Sequence, residues 1–177
     1  MTDSVLVAYA TRYGSTREVA ERVGATLRDR GLSVDVRSAK SVSDLSPYTA
    51  VVLGAPYFLG KMLKEATAFL ERQRSALEAM PVALFALGPV TPDDDLDGVR
   101  GQLDKTLAKL GWLKPVATEM FGGKYDPAVL RGLDKLITKP PASPMHGLSA
   151  HDYRDWDAIE RWATSLRFAA AAEIARA

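Results

Sequence analysis

Apolar residues fall along the chain in two alternating rhythms. Ser4-Val5-Leu6-Val7-Ala8-Tyr9 is a short, nearly continuous apolar run, the pattern of a strand covered on both faces. From Thr16 to Arg30 the spacing becomes helical, with Val19, Ala20, Val23 and Leu27 on one face and Gly31 where a C-terminal cap belongs. Ser33 to Arg37 alternates like an edge strand, and Ala50 to Gly54 is a second fully buried strand, followed by a loop from Ala55 to Gly60. Met62 to Leu77 reads as a helix, and Pro81 marks the start of a strand from Val82 to Leu87. A loop from Gly88 to Asp95 leads to a helix from about Leu96 to Leu110 that turns Val99, Leu103, Leu107 and Leu110 inward. Pro115 to Phe121 is a fifth strand.

Strands that alternate with helices predict an α/β fold with three layers: a doubly wound, five-stranded parallel sheet with helices on both faces. In such sheets ligands bind beyond the carboxyl ends of the strands, which directs attention to the loops at 10–16, 54–61 and 87–95. The 177 residues are expected to form a single domain over 1–177, with 47% hydrophobic and 25% charged residues in ordinary globular proportion. Absence of cysteine excludes disulfides, thiolate metal sites and cysteine nucleophiles. A formal net charge of +1 gives no global field toward nucleic acid. With no apolar run of about 18 residues and a first strand that leaves no room for a signal peptide, a cytoplasmic location is expected.

The first of these loops carries the most chemistry. Thr11-Arg12-Tyr13-Gly14-Ser15-Thr16 crowds hydroxyls and a glycine between a strand and a helix N-terminus. Such a junction offers free backbone N–H groups and the positive end of the helix dipole to an anion. It also serves as a plain capped turn with no ligand. The lysine of the P-loop and the spacing of the dinucleotide fingerprint are both missing.

This stretch resembles the flavodoxin family, whose phosphate loop reads Ser/Thr-x-Thr-Gly-x-Thr after the first strand. Three of its four defined positions match, and Tyr13 stands where the family usually has threonine. The resemblance implies strand order 2-1-3-4-5 and noncovalently bound FMN, with the phosphate held by Thr11, Arg12, Tyr13, Gly14, Ser15 and Thr16. Leu53-Gly54-Ala55-Pro56-Tyr57 looks like the family's second flavin loop. By similarity the ring borders Ala55, Pro56, Tyr57, Phe58, Leu59, Gly60 and Lys61 on one side and Gly88, Pro89 and Val90 on the other.

In a flavin protein the chain sets the orientation and potential of the ring. Gly60 would allow a peptide to turn its carbonyl toward the reduced flavin, and Lys61 is a candidate for tuning the anionic reduced form. No other catalytic residue is indicated. Tyr57 or Phe58 is expected to cover one face of the ring, whereas residues 88–95 hold no aromatic side chain and leave the other face open. The alternative packs Tyr57 and Phe58 in the core and folds Trp112 or Tyr125 over the ring.

Simple flavodoxins pass directly from the fifth strand to the last helix, here about Tyr153 to Glu173 with Trp156, Ile159, Trp162, Ala163 and Leu166 inward. This chain first spends residues 122–152 on an insertion, in which Ala128 to Lys139 has helical spacing. Arg131, Lys135 and Lys139 form a basic stripe beside the apolar Val129, Leu130, Leu133, Leu136 and Ile137. Three roles stay open for that helix: contact with an anionic membrane surface, a wall for a pocket, or a simple cover for the sheet edge.

The insertion, its Gly122-Gly123-Lys124-Tyr125 opening and the Asp155-Trp156-Asp157 helix resemble the menaquinone-dependent protoporphyrinogen oxidase branch of flavodoxin-like proteins. That branch implies a quinone-dependent FMN oxidoreductase of heme biosynthesis acting on a porphyrinogen-like substrate, with possible peripheral membrane contact through 128–139 at the inner face. The alternatives are a flavodoxin-type electron-transfer protein with a redox partner protein, and an FMN-binding module without turnover. Leu59 and Lys61 depart from the branch, where an aromatic residue and a histidine are expected. His146 and His151, in a loop with Asp152, have no third ligand at suitable metal spacing, Asp93 to Asp95 read as helix capping, and Ser15 has no partner histidine for hydrolase chemistry. No metal is expected.

Overall fold

The computed structural model describes residues 4–58, 60–88, 96–143 and 145–168. Its elements in chain order are β1 (Ser4–Tyr9), α1 (Ser15–Asp29), β2 (Ser33–Ser38), a 3-10 turn (Ala39–Ser41), β3 (Ala50–Phe58), β4 (Lys61–Met62), α2 (Lys64–Arg72), α3 (Arg74–Leu77), β5 (Val82–Gly88), α4 (Leu96–Lys109), β6 (Ala117–Gly122), β7 (Lys124–Tyr125), α5 (Gly132–Ile137), β8 (His151–Asp152) and α6 (Trp156–Ser165).

Five strands run parallel in the order β2-β1-β3-β5-β6, and β4 folds back antiparallel on β3. Once that short return strand is set aside, this is the 2-1-3-4-5 order of the flavodoxin-like doubly wound sheet. Each strand of the middle alternates sides, so one strand feeds two cores. Leu6, Ala8, Val51, Leu53 and Leu84 pack with Phe69 and Leu70 of α2 and Leu103 of α4. Val5, Val7, Val52 and Phe85 face the other way, against Val23 and Leu27 of α1 and Ile159 and Trp162 of α6. Burial on both faces explains why these strands read as continuous apolar runs, and each fully buried side chain of this size contributes about 1.5–3 kcal/mol.

Some expected boundaries move. The loop expected over Ala55 to Gly60 is largely strand, because β3 continues to Phe58, with Ala55 beside Ala86 and Pro56 beside Leu87 of β5. The helix expected from Met62 to Leu77 is two helices joined at Gln73. The buried Gln73 carboxamide there donates to the Ser43 carbonyl at 3.1 Å, so the break serves the connection that follows β2. The helix expected over 128–139 shrinks to six residues, since Gly132 adopts φ +53° and cannot continue a helix from Ala128. The last helix begins at Trp156 rather than Tyr153, where the Asp155 carboxylate accepts from the Ala158 N–H at 2.9 Å as an N-cap. It ends at Ser165, where Leu166 turns to ψ 134°, short of the expected end at Glu173, and residues 169–173 lie outside the described residues.

Antiparallel β7 and β8 pinch the two ends of the insertion together. Here a Cβ on Gly122 would stand 2.2 Å from the Tyr153 carbonyl oxygen, so only glycine lets the two backbones meet.

Candidate functional site

The carboxyl end of β1 delivers the chain to a tight turn. Ala10 N–H donates to Gly54 O at 2.9 Å, which ties the loop to β3. Gly14 then takes φ +94° as the N-cap of α1, a conformation that a β-carbon disfavours. Its N–H donates to Thr11 Oγ1 at 2.9 Å, so the first threonine of the motif braces the turn from within. The first helical bond runs from Glu18 N–H to Gly14 O at 3.1 Å, which leaves the amides of Ser15, Thr16 and Arg17 ahead of the helical ladder. Thr16 Oγ1 is fully buried and, among the described residues, is the buried side-chain polar atom found without a hydrogen-bond partner. Free amides, an orphaned hydroxyl and the dipole of a fifteen-residue helix suit a phosphate.

Arg12 and Tyr13 do not turn toward those amides. Tyr13 donates its hydroxyl to Asp134 Oδ2 at 2.5 Å, and Arg12 Nε lies 2.7 Å from the same oxygen. Asp134 belongs to α5, so the insertion is fastened onto the first loop. Burial, and then the bond to Asp134, push the Tyr13 phenol above its usual pKa. The Arg131 N–H donates to Tyr13 Oη at 3.4 Å from the neighbouring turn.

Between the loop, the ends of β3 and β5, and the insertion lies a cleft of about 980 Å3, counting the space open to solvent. Arg12, Tyr13 and Ser15 form its first side, and Pro56, Tyr57, Leu63 and Leu87 its floor. The insertion supplies the rest: Gly123, Lys124, Tyr125, Asp126, Val129, Leu130, Asp134, Thr138 and Met145. Of these, only Asp134 belongs to α5.

Of the expected ring-covering residues, Tyr57 is buried and its hydroxyl reaches α4, donating to Gln102 O at 3.1 Å and sharing a short hydrogen bond with Thr106 Oγ1. Burial raises its pKa. Tyr57 still lines the cleft, as does the buried Tyr125. Trp112 lies elsewhere, under the Arg74 guanidinium at 5.2 Å. Ala55 is buried inside the sheet, and Gly60 turns the β3–β4 hairpin with φ +72°. Lys61 is exposed on β4 and is not among the residues that line the cleft. Gly88 closes β5, where a Cβ would meet Val99 at 3.0 Å and Met120 at 3.2 Å. Leu59, Pro89 and Val90, together with the side chain of Phe58, lie outside the described residues.

A second polar cluster stands behind the first turn of α1. The Arg154 side chain is 3% exposed and binds Glu18, Asp152 and the Ser15 carbonyl, with its guanidinium 4.6 Å from the Trp156 ring centre. Hydrogen bonding to Arg154 holds the Asp152 carboxyl below the usual carboxylate range, and the same bonds raise Arg154. His151 stacks on Tyr153 and its Nδ1 meets Ser149 O at 2.8 Å, so this histidine is occupied by its own hairpin.

Sequence spacing does not single out Asp134, Lys124, Arg154 or Met145. One signal was present: an aspartate four residues after Leu130, in the middle of an apolar helical stripe. A charge placed there either breaks the stripe or meets a buried partner.

Comparison with known proteins places the chain as follows. The model of the flavodoxin domain family matches residues 6–147. The protoporphyrinogen IX dehydrogenase [quinone] of Escherichia coli K12 is 24% identical over 169 residues, covering 91% of this chain and 93% of that protein. Among solved structures, oxidised Flavodoxin 1 from Bacillus cereus superposes with a TM-score of 0.57 at 16% identity, covering 91% of this chain and 95% of that one. A flavodoxin from the domain Archaea gives a TM-score of 0.55 at 16% identity, covering 91% and 94%. Rubredoxin oxygen:oxidoreductase of Desulfovibrio gigas gives 0.54 at 16% identity over 93% of this chain and 35% of its own. At such identities the structures establish the fold.

Proposed function

Because the chain belongs to the flavodoxin family, we propose that it is an FMN-dependent oxidoreductase of the quinone-dependent protoporphyrinogen dehydrogenase type, working in the cytoplasm or at the inner face of the membrane. The observation that carries this reading is the wall that the insertion builds. Tyr125, Val129, Leu130 and Met145 enclose the side of the cleft that a protein-docking electron carrier would leave open. The matched length of the Escherichia coli relative, 93% of that protein, supports the same reading.

In this reading the amides of Ser15, Thr16 and Arg17 and the Thr16 hydroxyl hold the FMN phosphate, and Pro56, Tyr57 and Leu87 border the ring. When bound, the flavin supplies reversible uptake of two electrons. The chain supplies the surroundings. Apolar lining from Leu63, Leu87, Val129, Leu130 and Met145 excludes water and takes up the macrocycle of a porphyrinogen, and Lys124, whose ammonium lies 3.9 Å from Glu18, attracts its carboxylates. Tyr57, anchored to α4 by its hydroxyl, gives the floor a fixed orientation.

The second substrate, a quinone, partitions into lipid. Leu133, Leu136 and Ile137 of α5 are 74%, 55% and 43% exposed, beside the exposed Arg131, Lys135 and Lys139. An apolar ridge flanked by cations favours peripheral contact with an anionic membrane. No helix among the described residues is long and apolar enough to cross one.

An anaerobic assay tests the proposal: protein reconstituted with FMN should oxidise protoporphyrinogen IX when given a menaquinone or ubiquinone analogue. Flavin binding without turnover across several quinones would return the protein to the role of electron carrier. Failure to take up FMN would remove the flavin reading itself.

A further inference from the structure

We propose that Asp134 is a positioning residue for the phosphate loop, and that through it the insertion makes the cleft select a flavin that carries a phosphate over one that does not. This role rests on the flavin reading above.

The insertion helix α5 is built inside out. Leu133, Leu136 and Ile137 are exposed, and the residue it buries is a carboxylate, with its side chain 8% accessible. A carboxylate withdrawn from water requires donors. Asp134 draws them from residues 121 and 122 positions earlier, Tyr13 Oη at 2.5 Å and Arg12 Nε at 2.7 Å. Tyr13 is otherwise 38% exposed, so this bond is what orients its ring.

Arg12 and Tyr13 immediately precede Gly14, whose φ of +94° turns the chain into the helix N-terminus. When these two side chains are held, the backbone that leads into the free amides of Ser15 and Thr16 is held with them. Without the clasp, a ligand phosphate must order the loop as it binds. None of the hydrogen bonds found among the described residues joins the Asp134 carboxylate to those amides, so its contacts go to Arg12 and Tyr13 and leave the amides unfilled. Tyr13, the discordant residue of the motif, thereby acquires a function: it exchanges a threonine donor for an arm that reaches the insertion.

Simple electrostatics opposes this role. A carboxylate near a phosphate dianion repels it, and its removal by that effect alone would tighten FMN binding. The two ideas therefore predict opposite signs.

Apoprotein stripped of flavin is titrated with FMN and with riboflavin, followed by flavin fluorescence, for the wild type, Asp134→Ala, Asp134→Asn and Tyr13→Phe. Asp134→Ala is expected to weaken FMN about tenfold and riboflavin less than about threefold, because only the phosphate reads the loop. Asp134→Asn keeps an acceptor for Tyr13 and should fall between. Tyr13→Phe should reproduce part of the FMN loss, and Tyr13→Phe combined with Asp134→Ala should bind no worse than Asp134→Ala alone. Equal losses for both flavins would reduce Asp134 to a support for the cleft wall and overturn the proposal. So would an unchanged or tightened FMN affinity, or additive losses in the double variant. A wild type that binds neither flavin overturns the flavin reading and this role with it.

Discussion

Arg154 Nη1 donates to Glu18 Oε2 at 2.8 Å, joining the segment just after the insertion's closing hairpin to the first turn of α1. The same guanidinium holds Asp152 through two bonds, Nε to Oδ1 at 2.8 Å and Nη2 to Oδ2 at 2.7 Å. Arg154→Met keeps the volume and removes every one of these bonds. Glu18 and Asp152 are themselves 44% and 40% exposed, so water compensates them, and the loss should be about 1–2 kcal/mol at neutral pH. The folded-state pKa of Asp152 is depressed, so its share of stability is present above the ordinary carboxylate pKa and is lost as pH falls through the lowered value. Urea unfolding at pH 7, 5 and 3 should therefore show a gap between wild type and variant that is constant from 7 to 5 and narrows at 3. A gap that widens on acidification would remove Asp152 from the account.

Gly54 lies under the ring of Phe85, and a β-carbon there would stand 2.1 Å from Cζ. Phe85 has no free direction, since Phe121 and Trp162 pack against it at 6.2 and 5.9 Å between ring centres. Gly54→Ala is expected to cost about 1–3 kcal/mol through overpacking, read as a lower urea midpoint with an unchanged slope. Variants at Gly101, where an added Cβ meets nothing within 4 Å, provide the contrast.

The central sheet was legible because β1, β3 and β5 are covered on both faces, so Val5 to Ala8 and Val51 to Leu53 could be apolar without alternation, whereas β2 alternates as an exposed edge. The geometry of the turn at Thr11 to Thr16 was legible because its requirements are local: Gly14 for the positive φ, then amides ahead of a helix. The insertion was not. Its spacing at Val129, Leu130, Leu133, Leu136 and Ile137 groups one apolar stripe and leaves open whether lipid, a pocket or the sheet edge meets it; Leu133, Leu136 and Ile137 form an exposed ridge, whereas Val129, Leu130, Asp134 and Thr138 line the cleft. Periodicity reports which residues share a face, and only a partner decides which face is buried. Here the partner is the Arg12–Tyr13 pair, 121 residues away from Asp134 at its nearest and invisible to any local window.

Thr16 offers a way to separate folding from ligand binding. Its Oγ1 is buried without a partner, so Thr16→Val removes an unsatisfied polar atom at nearly constant volume. The apoprotein should be unchanged or more stable by up to about 1 kcal/mol, because no internal hydrogen bond is lost. FMN affinity should fall about tenfold if that hydroxyl serves the phosphate. Thermal melts of apoprotein beside FMN titrations measure the two effects, and a destabilised apoprotein with unaltered FMN affinity would assign the hydroxyl to the fold.

The ridge on α5 makes the remaining prediction. Leu133 and Leu136 are too exposed to support the core, so Leu133→Ser with Leu136→Ser should alter stability by less than about 0.5 kcal/mol. If α5 meets lipid, sedimentation with vesicles containing phosphatidylglycerol should fall several-fold in the double variant, because the apolar contact with the interface is lost. Raised salt should weaken wild-type binding as well, through screening of Arg131, Lys135 and Lys139. Turnover with a water-soluble quinone analogue should be retained, since neither leucine lines the cleft, whereas turnover with a quinone embedded in vesicles should drop with the binding. Equal vesicle binding by wild type and variant would leave the ridge without a lipid role and return α5 to the single task of walling the cleft.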